Sequence, residues 1–119
     1  MHNFRELNSW KDSMSLAKEV LLITKQFLQS EQFGLIAQMN RSCVSIPSNN
    51  AGGTGLNSDK ELNRFLNIAL GSCFELETQL LLSKDFEYIR INESEYLITK
   101  LKSIQKMISG FKNSLESII

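Results

Sequence analysis

The chain has 119 residues, and its thirteen lysines and arginines balance thirteen aspartates and glutamates. No overall charge therefore draws it towards nucleic acid or a membrane surface. Its hydrophobic fraction of 42% and charged fraction of 22% are those of an ordinary globular chain long enough to bury one core. A single proline, Pro47, argues against a loop-rich or all-β fold.

The first segment has the clearest pattern. Leu7, Trp10, Met14, Ala17, Leu21, Thr24 and Leu28 alternate three and four residues apart, a heptad seam interrupted only by Thr24. A second stripe, Leu16, Val20, Ile23 and Phe27, runs beside it. Two stripes imply a helix buried on a wide arc, or one buried on one side and used for association on the other.

The second segment, from Gln32, carries Leu35, Ile36, Met39, Cys43, Val44 and Ile46 at helical spacing. Pro47 removes an amide donor and crowds the preceding turn, so on propensity alone the helix ends near Ile46. Small, turn-prone residues follow as far as Asn57. The third segment opens on Ser58-Asp59-Lys60-Glu61, which predicts a capping box in which serine and glutamate satisfy each other's free amides. Leu62, Phe65, Leu66, Ala69, Leu70, Cys73, Leu76 and Leu80 then form its apolar face. Gly71 costs that helix roughly 1 kcal/mol relative to alanine and is expected to permit a close helix approach. In the fourth segment Leu97, Leu101, Ile104, Ile108, Phe111, Leu115 and Ile118 keep the same alternation. Asn92 is the expected N-cap, with Glu93 and Glu95 where the helix dipole favours acids. The fold expected is all-α: one domain over 1–119, an antiparallel up-and-down four-helix bundle with helices at about 5–29, 32–54, 58–84 and 92–118.

Chemistry is poorly provided for. Gly52-Gly53-Thr54-Gly55 lacks the preceding strand and the following Gly-Lys-Ser/Thr of a phosphate loop, so it reads as a helix end. A di-iron bundle needs Glu-x-x-His motifs, and the only histidine is His2. Glu75 and Glu77 are two apart and diverge around the helix, so they do not share a site. Nucleophilic catalysis lacks a base for the same want of histidine. Cys43 and Cys73 have no C-x-x-C spacing and read as buried apolar residues of a reducing cytoplasm. The first residues lack the apolar core of a signal peptide, and no apolar run reaches the ~20 residues of a membrane span. The expectation is a cytoplasmic protein, not an enzyme, without cofactor, metal, membrane contact or small-molecule substrate. Local charge is uneven. Asp85, Glu87, Glu93 and Glu95 face only Arg90 in one segment, whereas Lys100, Lys102, Lys106 and Lys112 outnumber Glu116 in the next. That basic run is a candidate phosphate-binding stripe.

Several runs resemble a bacterial family. They are Phe4-Arg5-Glu6-Leu7 with Trp10, then Phe33-Gly34-Leu35, then Val44-Ser45-Ile46-Pro47-Ser48-Asn49. Further along come Phe65-Leu66-Asn67-Ile68-Ala69-Leu70-Gly71-Ser72 and Glu75-Leu76-Glu77-Thr78-Gln79-Leu80. Up to about Leu82 the chain is similar to the four-helix-bundle proteins encoded in intervening sequences of 23S ribosomal RNA genes. Relatives of that family include the accessory variability determinant of diversity-generating retroelements. The resemblance implies a homopentameric ring, and a second helix that continues, kinked, through Pro47 to the glycines. It gives Leu16, Val20, Ile23, Phe27, Glu75 and Glu77 a use at subunit contacts.

The resemblance also implies a possible nucleic-acid surface, as an accessory to ribosomal RNA or a reverse transcriptase. Only Arg41, Lys60 and Arg64 remain of the family's basic positions, to which Lys102 and Lys106 add the local charge of the last segment. Two functions are therefore expected, an oligomeric interaction protein or a nucleic-acid-binding ring weakened by neutral charge and a missing basic pair, with an enzyme using an unrecognised pocket as a remote third.

Overall fold

The three-four spacing resolves into four helices: α1 (Asn8–Thr24), α2 (Ala37–Thr54), α3 (Asp59–Asp85) and α4 (Ile91–Glu116). The structure is a computed structural model that describes residues 2–27 and 32–117. The expected limits at 29 and 118 lie outside those residues, and α1 is shorter than the expected 5–29, running from Asn8 and ending at Thr24 with a turn over 25–27.

Polar contacts fix the register of each helix pair. Ser9 Oγ donates to Asn50 Oδ1 at 3.1 Å, and Thr24 Oγ1 to Asn40 Oδ1 at 3.0 Å, so α1 and α2 run antiparallel. Thr24, the interruption of the heptad seam, is thus a buried helix-to-helix hydrogen bond. The Ser45 and Ser72 hydroxyls lie 2.8 Å apart between α2 and α3. Gln105 Nε2 donates to Glu77 Oε1 at 3.0 Å between α3 and α4. Lys100 closes the fourth side, donating to Ser15 Oγ at 2.7 Å and ion-pairing with Glu19, onto which Tyr96 also donates at 3.3 Å. The result is an antiparallel up-and-down four-helix bundle. Leu16 and Val20 of α1, Met39, Cys43 and Ile46 of α2, and Leu66, Leu76 and Leu80 of α3 meet Leu101, Ile104 and Ile108 of α4 in its core.

Helix two continues through Pro47, as the resemblance implied and propensity alone did not. α2 runs through Pro47 to Thr54. Proline cannot donate to the carbonyl one turn back, and two neighbouring side chains add bonds around the site. Asn49 Nδ2 donates to the Ser45 carbonyl (2.8 Å) and Asn50 Nδ2 to the Ile46 carbonyl (2.9 Å). The break comes earlier, at Gly34, whose backbone (φ −105°, ψ −109°) leaves helical values inside a wide turn over Gln32–Ile36. A residue without Cβ accepts that geometry readily. Regular helix therefore starts at Ala37 instead of residue 32.

The caps differ from expectation in detail. Ser58 Oγ accepts the Glu61 amide at 3.2 Å, but the Glu61 carboxylate turns to Arg64 (2.9 Å), so only half of the capping box forms. The N-cap of α4 lies two residues before the expected Asn92. Arg90 is extended, and Glu93 Oε1 accepts its amide at 2.9 Å, placing the helix start at Ile91. α1 begins after a 3₁₀ turn over Phe4–Glu6, where Trp10 packs edge-on to Phe4 at 5.1 Å. α3 ends where Glu87 enters the left-handed region (φ 62°) and Tyr88 N–H donates to the Ser83 carbonyl at 2.8 Å.

The close helix approach falls at a glycine other than the expected one. Nothing lies within 4 Å of the Cβ that Gly71 lacks, so Gly71 does not serve packing. Gly53 does: a Cβ there would lie 2.8 Å from Leu62 Cδ1 and 2.9 Å from Phe65 Cβ.

Candidate functional site

The heptad seam of α1 is divided: Ala17 and Thr24 are buried, Trp10 and Met14 are half-buried and Leu21 is exposed. Ser9, Leu16, Val20 and Thr24 take the core side, which rotates Trp10, Met14 and Leu21 to the flank beside α2. There they line, with Val44, Pro47, Ser48 and Ala51 of α2, a groove of about 420 Å³ with Lys18 at its edge. Leu21 and Val44 keep 37% and 44% of their surfaces exposed. Pro47 contributes a rigid apolar wall at a point where the helix has one fewer amide to satisfy.

This overturns the expected subunit stripe. Leu16 and Val20 have no exposed surface, Phe27 is buried and Ile23 packs against the core. Leu16, Val20 and Phe27 stabilise the bundle and leave little or no surface for a second subunit, while the half-buried Ile23 borders a groove between α1 and α4. It is the other stripe, the interrupted heptad, that remains partly free. Of the acidic pair, Glu75 is exposed, whereas Glu77 is half-buried and held by Gln105.

The five basic candidates do not form one patch. Arg64 is paired with Glu61 and stacks over the Phe65 ring at 4.8 Å. Lys60 lies in the first turn of α3 and Arg41 on α2, both exposed. Lys102 and Lys106 are exposed on α4, where the Gln105–Glu77 bond sets Lys106 level with residue 76 of α3. By the rise of a helix, that is about 24 Å along the bundle from Lys60. The structure adds a residue that sequence reasoning passed over: Phe74, 55% exposed on the flank of α3 turned towards α4. Its distance of one residue from the core position Cys73 was the available signal.

One pair has the spacing of a serine–lysine dyad, Ser15 Oγ and Lys100 Nζ at 2.7 Å. Its electrostatics are wrong for catalysis. Desolvation pulls the Lys100 ammonium down, but the Glu19 hydrogen bond and the charges of Glu19, Tyr96 and Asp12 outweigh it and leave the pKa raised. A lysine held protonated by a carboxylate takes no proton from serine. A groove of about 660 Å³ at the α3–α4 turn mixes Lys84 and Arg90 with Asp85, Glu87 and Glu93 and concentrates neither sign. Among the described residues no three His, Cys, Asp or Glu side chains gather where a metal would bind, and no helix is long and apolar enough to cross a membrane.

Burial pushes the Cys43 thiol up to about 11 and the Cys73 thiol, with help from Glu77, up to about 12. Both are neutral and unreactive at pH 8. Iodoacetamide should therefore label neither cysteine in the native chain and both in urea, as read by mass spectrometry. Native labelling of either would contradict their burial.

Fold and surface together define an all-helical bundle whose polar clusters are absorbed in helix-to-helix bonds and whose distinctive free surface is apolar. The chain belongs to the 23S rRNA-intervening sequence protein family, whose model matches residues 5–110. The match passes the last of the quoted runs and takes in most of α4. The chain is similar to a crystal structure of a protein of unknown function from the S23 ribosomal protein family of Bacteroides thetaiotaomicron. The two are 24% identical with a TM-score of 0.82, over 88% of this chain and 95% of the other, a likeness of fold. No curated protein matches the chain.

Proposed function

We propose that the protein is a non-enzymatic, self-associating helical scaffold of the cytoplasm, acting through protein contacts and assembled as the homopentameric ring that the family resemblance implies. The observation that carries this is the α1–α2 groove. Trp10, Met14, Leu21, Val44 and Pro47 form a continuous apolar surface, and apolar surface of that kind marks a place of association. Sedimentation equilibrium of the intact chain at micromolar concentration tests it. Particles of about five times the 13.6 kDa chain mass are expected; the chain mass at every concentration would contradict the reading.

A second reading rests on Phe74. Its exposed ring lies on the α4 flank of α3, near the level of residue 108 by the Gln105–Glu77 bond, and Lys102 and Lys106 are exposed on α4 four residues, so about 6 Å, apart. A ring for base stacking with two cations on the next helix suits single-stranded RNA. A single-stranded RNA oligomer should then bind with log K falling against log salt at a slope of about −1.4, for two phosphates. Phe74→Ala should weaken it roughly tenfold. No binding at low salt would remove this reading and leave the first intact.

A further inference from the structure

The heptad of α1 carries a second row. Immediately after the seam residues Trp10, Ala17 and Thr24 come Lys11, Lys18 and Lys25, seven apart, all exposed. None of the three makes an ion pair among the described residues, and Lys18 stands at the edge of the groove. Cations flanking an apolar seam select a partner whose matching row is acidic.

The chain holds an exposed row with one acid at its centre. On α3, Ile68, Glu75 and Leu82 are seven apart and exposed. Ile68 and Leu82 keep 42% and 43% of their surfaces, and Glu75 forms no ion pair among the described residues. We propose that the α1–α2 groove of one copy receives the Ile68–Glu75–Leu82 row of a second copy, with Glu75 facing Lys18. The inference rests on the self-association proposed above and assigns its two surfaces.

The arrangement of the helices supports it. Phe65 and Ser72, which meet α2 at Gly53 and Ser45, lie next to this row around α3, so the row sits on the outer α2 flank of that helix. The groove lies on the α1–α2 side of the bundle. In a four-cornered bundle these two sides are neighbours, related by about a quarter turn around the long axis. Unlike surfaces joined head to tail with such a rotation close into a ring of about four or five copies instead of growing into a filament. Pairing of two grooves would instead stop at a dimer and bring lysine rows of like sign together.

Two charge reversals on exposed residues, Lys18→Glu and Glu75→Lys, test the assignment by sedimentation velocity, with far-UV circular dichroism confirming an unchanged helix content. Each alone should weaken association about tenfold, since an attraction becomes a repulsion. An equimolar mixture should associate more tightly than either variant, because every contact between unlike chains then joins opposite charges. Wild-type behaviour from Glu75→Lys, or a mixture no tighter than its components, overturns the pairing while leaving self-association standing. A wild-type protein that is monomeric overturns both. Groove occupation by an acidic helix of another protein would show as loss of that binding in Lys18→Glu with no response to Glu75→Lys.

Discussion

Leu16→Ala is expected to lower the free energy of unfolding by about 3 kcal/mol, within the ~2–5 kcal/mol typical of a leucine truncated in a packed core. Leu16 has no exposed surface and sits among residues of all four helices in one cluster. Truncation removes its transfer free energy and leaves a cavity that the rigid helices fill only in part. Leu21→Ala, five residues later on the same helix, should cost below about 1 kcal/mol, because its side chain is already 37% exposed. Urea titrations followed by circular dichroism measure both. They belong at one low protein concentration, since association adds stability by mass action. The two leucines should also differ in what they do to assembly, with Leu21 acting on the oligomer and Leu16 on the fold. An unchanged urea midpoint in Leu16→Ala would contradict the placement of that stripe in the core.

Gly53 of α2 and Gly71 of α3 should respond to alanine with opposite signs. At Gly53 the new Cβ meets Leu62 Cδ1 at 2.8 Å and Phe65 Cβ at 2.9 Å. The first atom is the end of a flexible side chain and can rotate away. The second is attached directly to the α3 backbone, so the helices must separate, and overpacking of this kind costs about 1–3 kcal/mol. Gly53 lies near the end of its helix, where a gain in propensity offsets little of that. Gly71 lies in the interior of α3 with nothing within 4 Å of its missing Cβ. Gly71→Ala should therefore stabilise by about 1 kcal/mol, the difference in helix propensity. Thermal unfolding of the two variants at equal concentration reads both signs. A neutral Gly53→Ala would mean that α2 and α3 are not in contact there.

The architecture was legible because it depends on spacing. The last segment appears in the chain as an unbroken three-four alternation and the first is interrupted only at Thr24, and α3 runs within one residue of its expected limits at each end. What spacing does not encode is which side of a doubly apolar helix meets the core. On α1 both stripes are apolar, and the choice is made by small polar residues: Ser9 and Thr24 bond to Asn50 and Asn40 and so turn their own side of the helix inward. The same limit applies to the glycines. A glycine in mid-helix and one near a helix end look alike until a neighbour's backbone arrives, as that of α3 does at Gly53. Pro47 shows the converse. Local rules end α2 there, but a buried ring wedged between helices, with asparagine side chains donating to nearby carbonyls, holds the helix through it. The site was harder to read than the fold because its marks are exposures. Leu21, Val44 and Phe74 are ordinary hydrophobic letters whose significance comes from being left uncovered.

The central claim is that the α1–α2 groove is where the protein does its work, and Leu21→Glu tests it most directly. The substitution places a carboxylate in the apolar groove at a position too exposed to matter to the core. Sedimentation velocity of wild type and variant at the same micromolar concentration, with matched helical circular dichroism, should show an assembly for the wild type and a folded monomer for the variant. Two proteins sedimenting alike, whether both assembled or both monomeric, would contradict it.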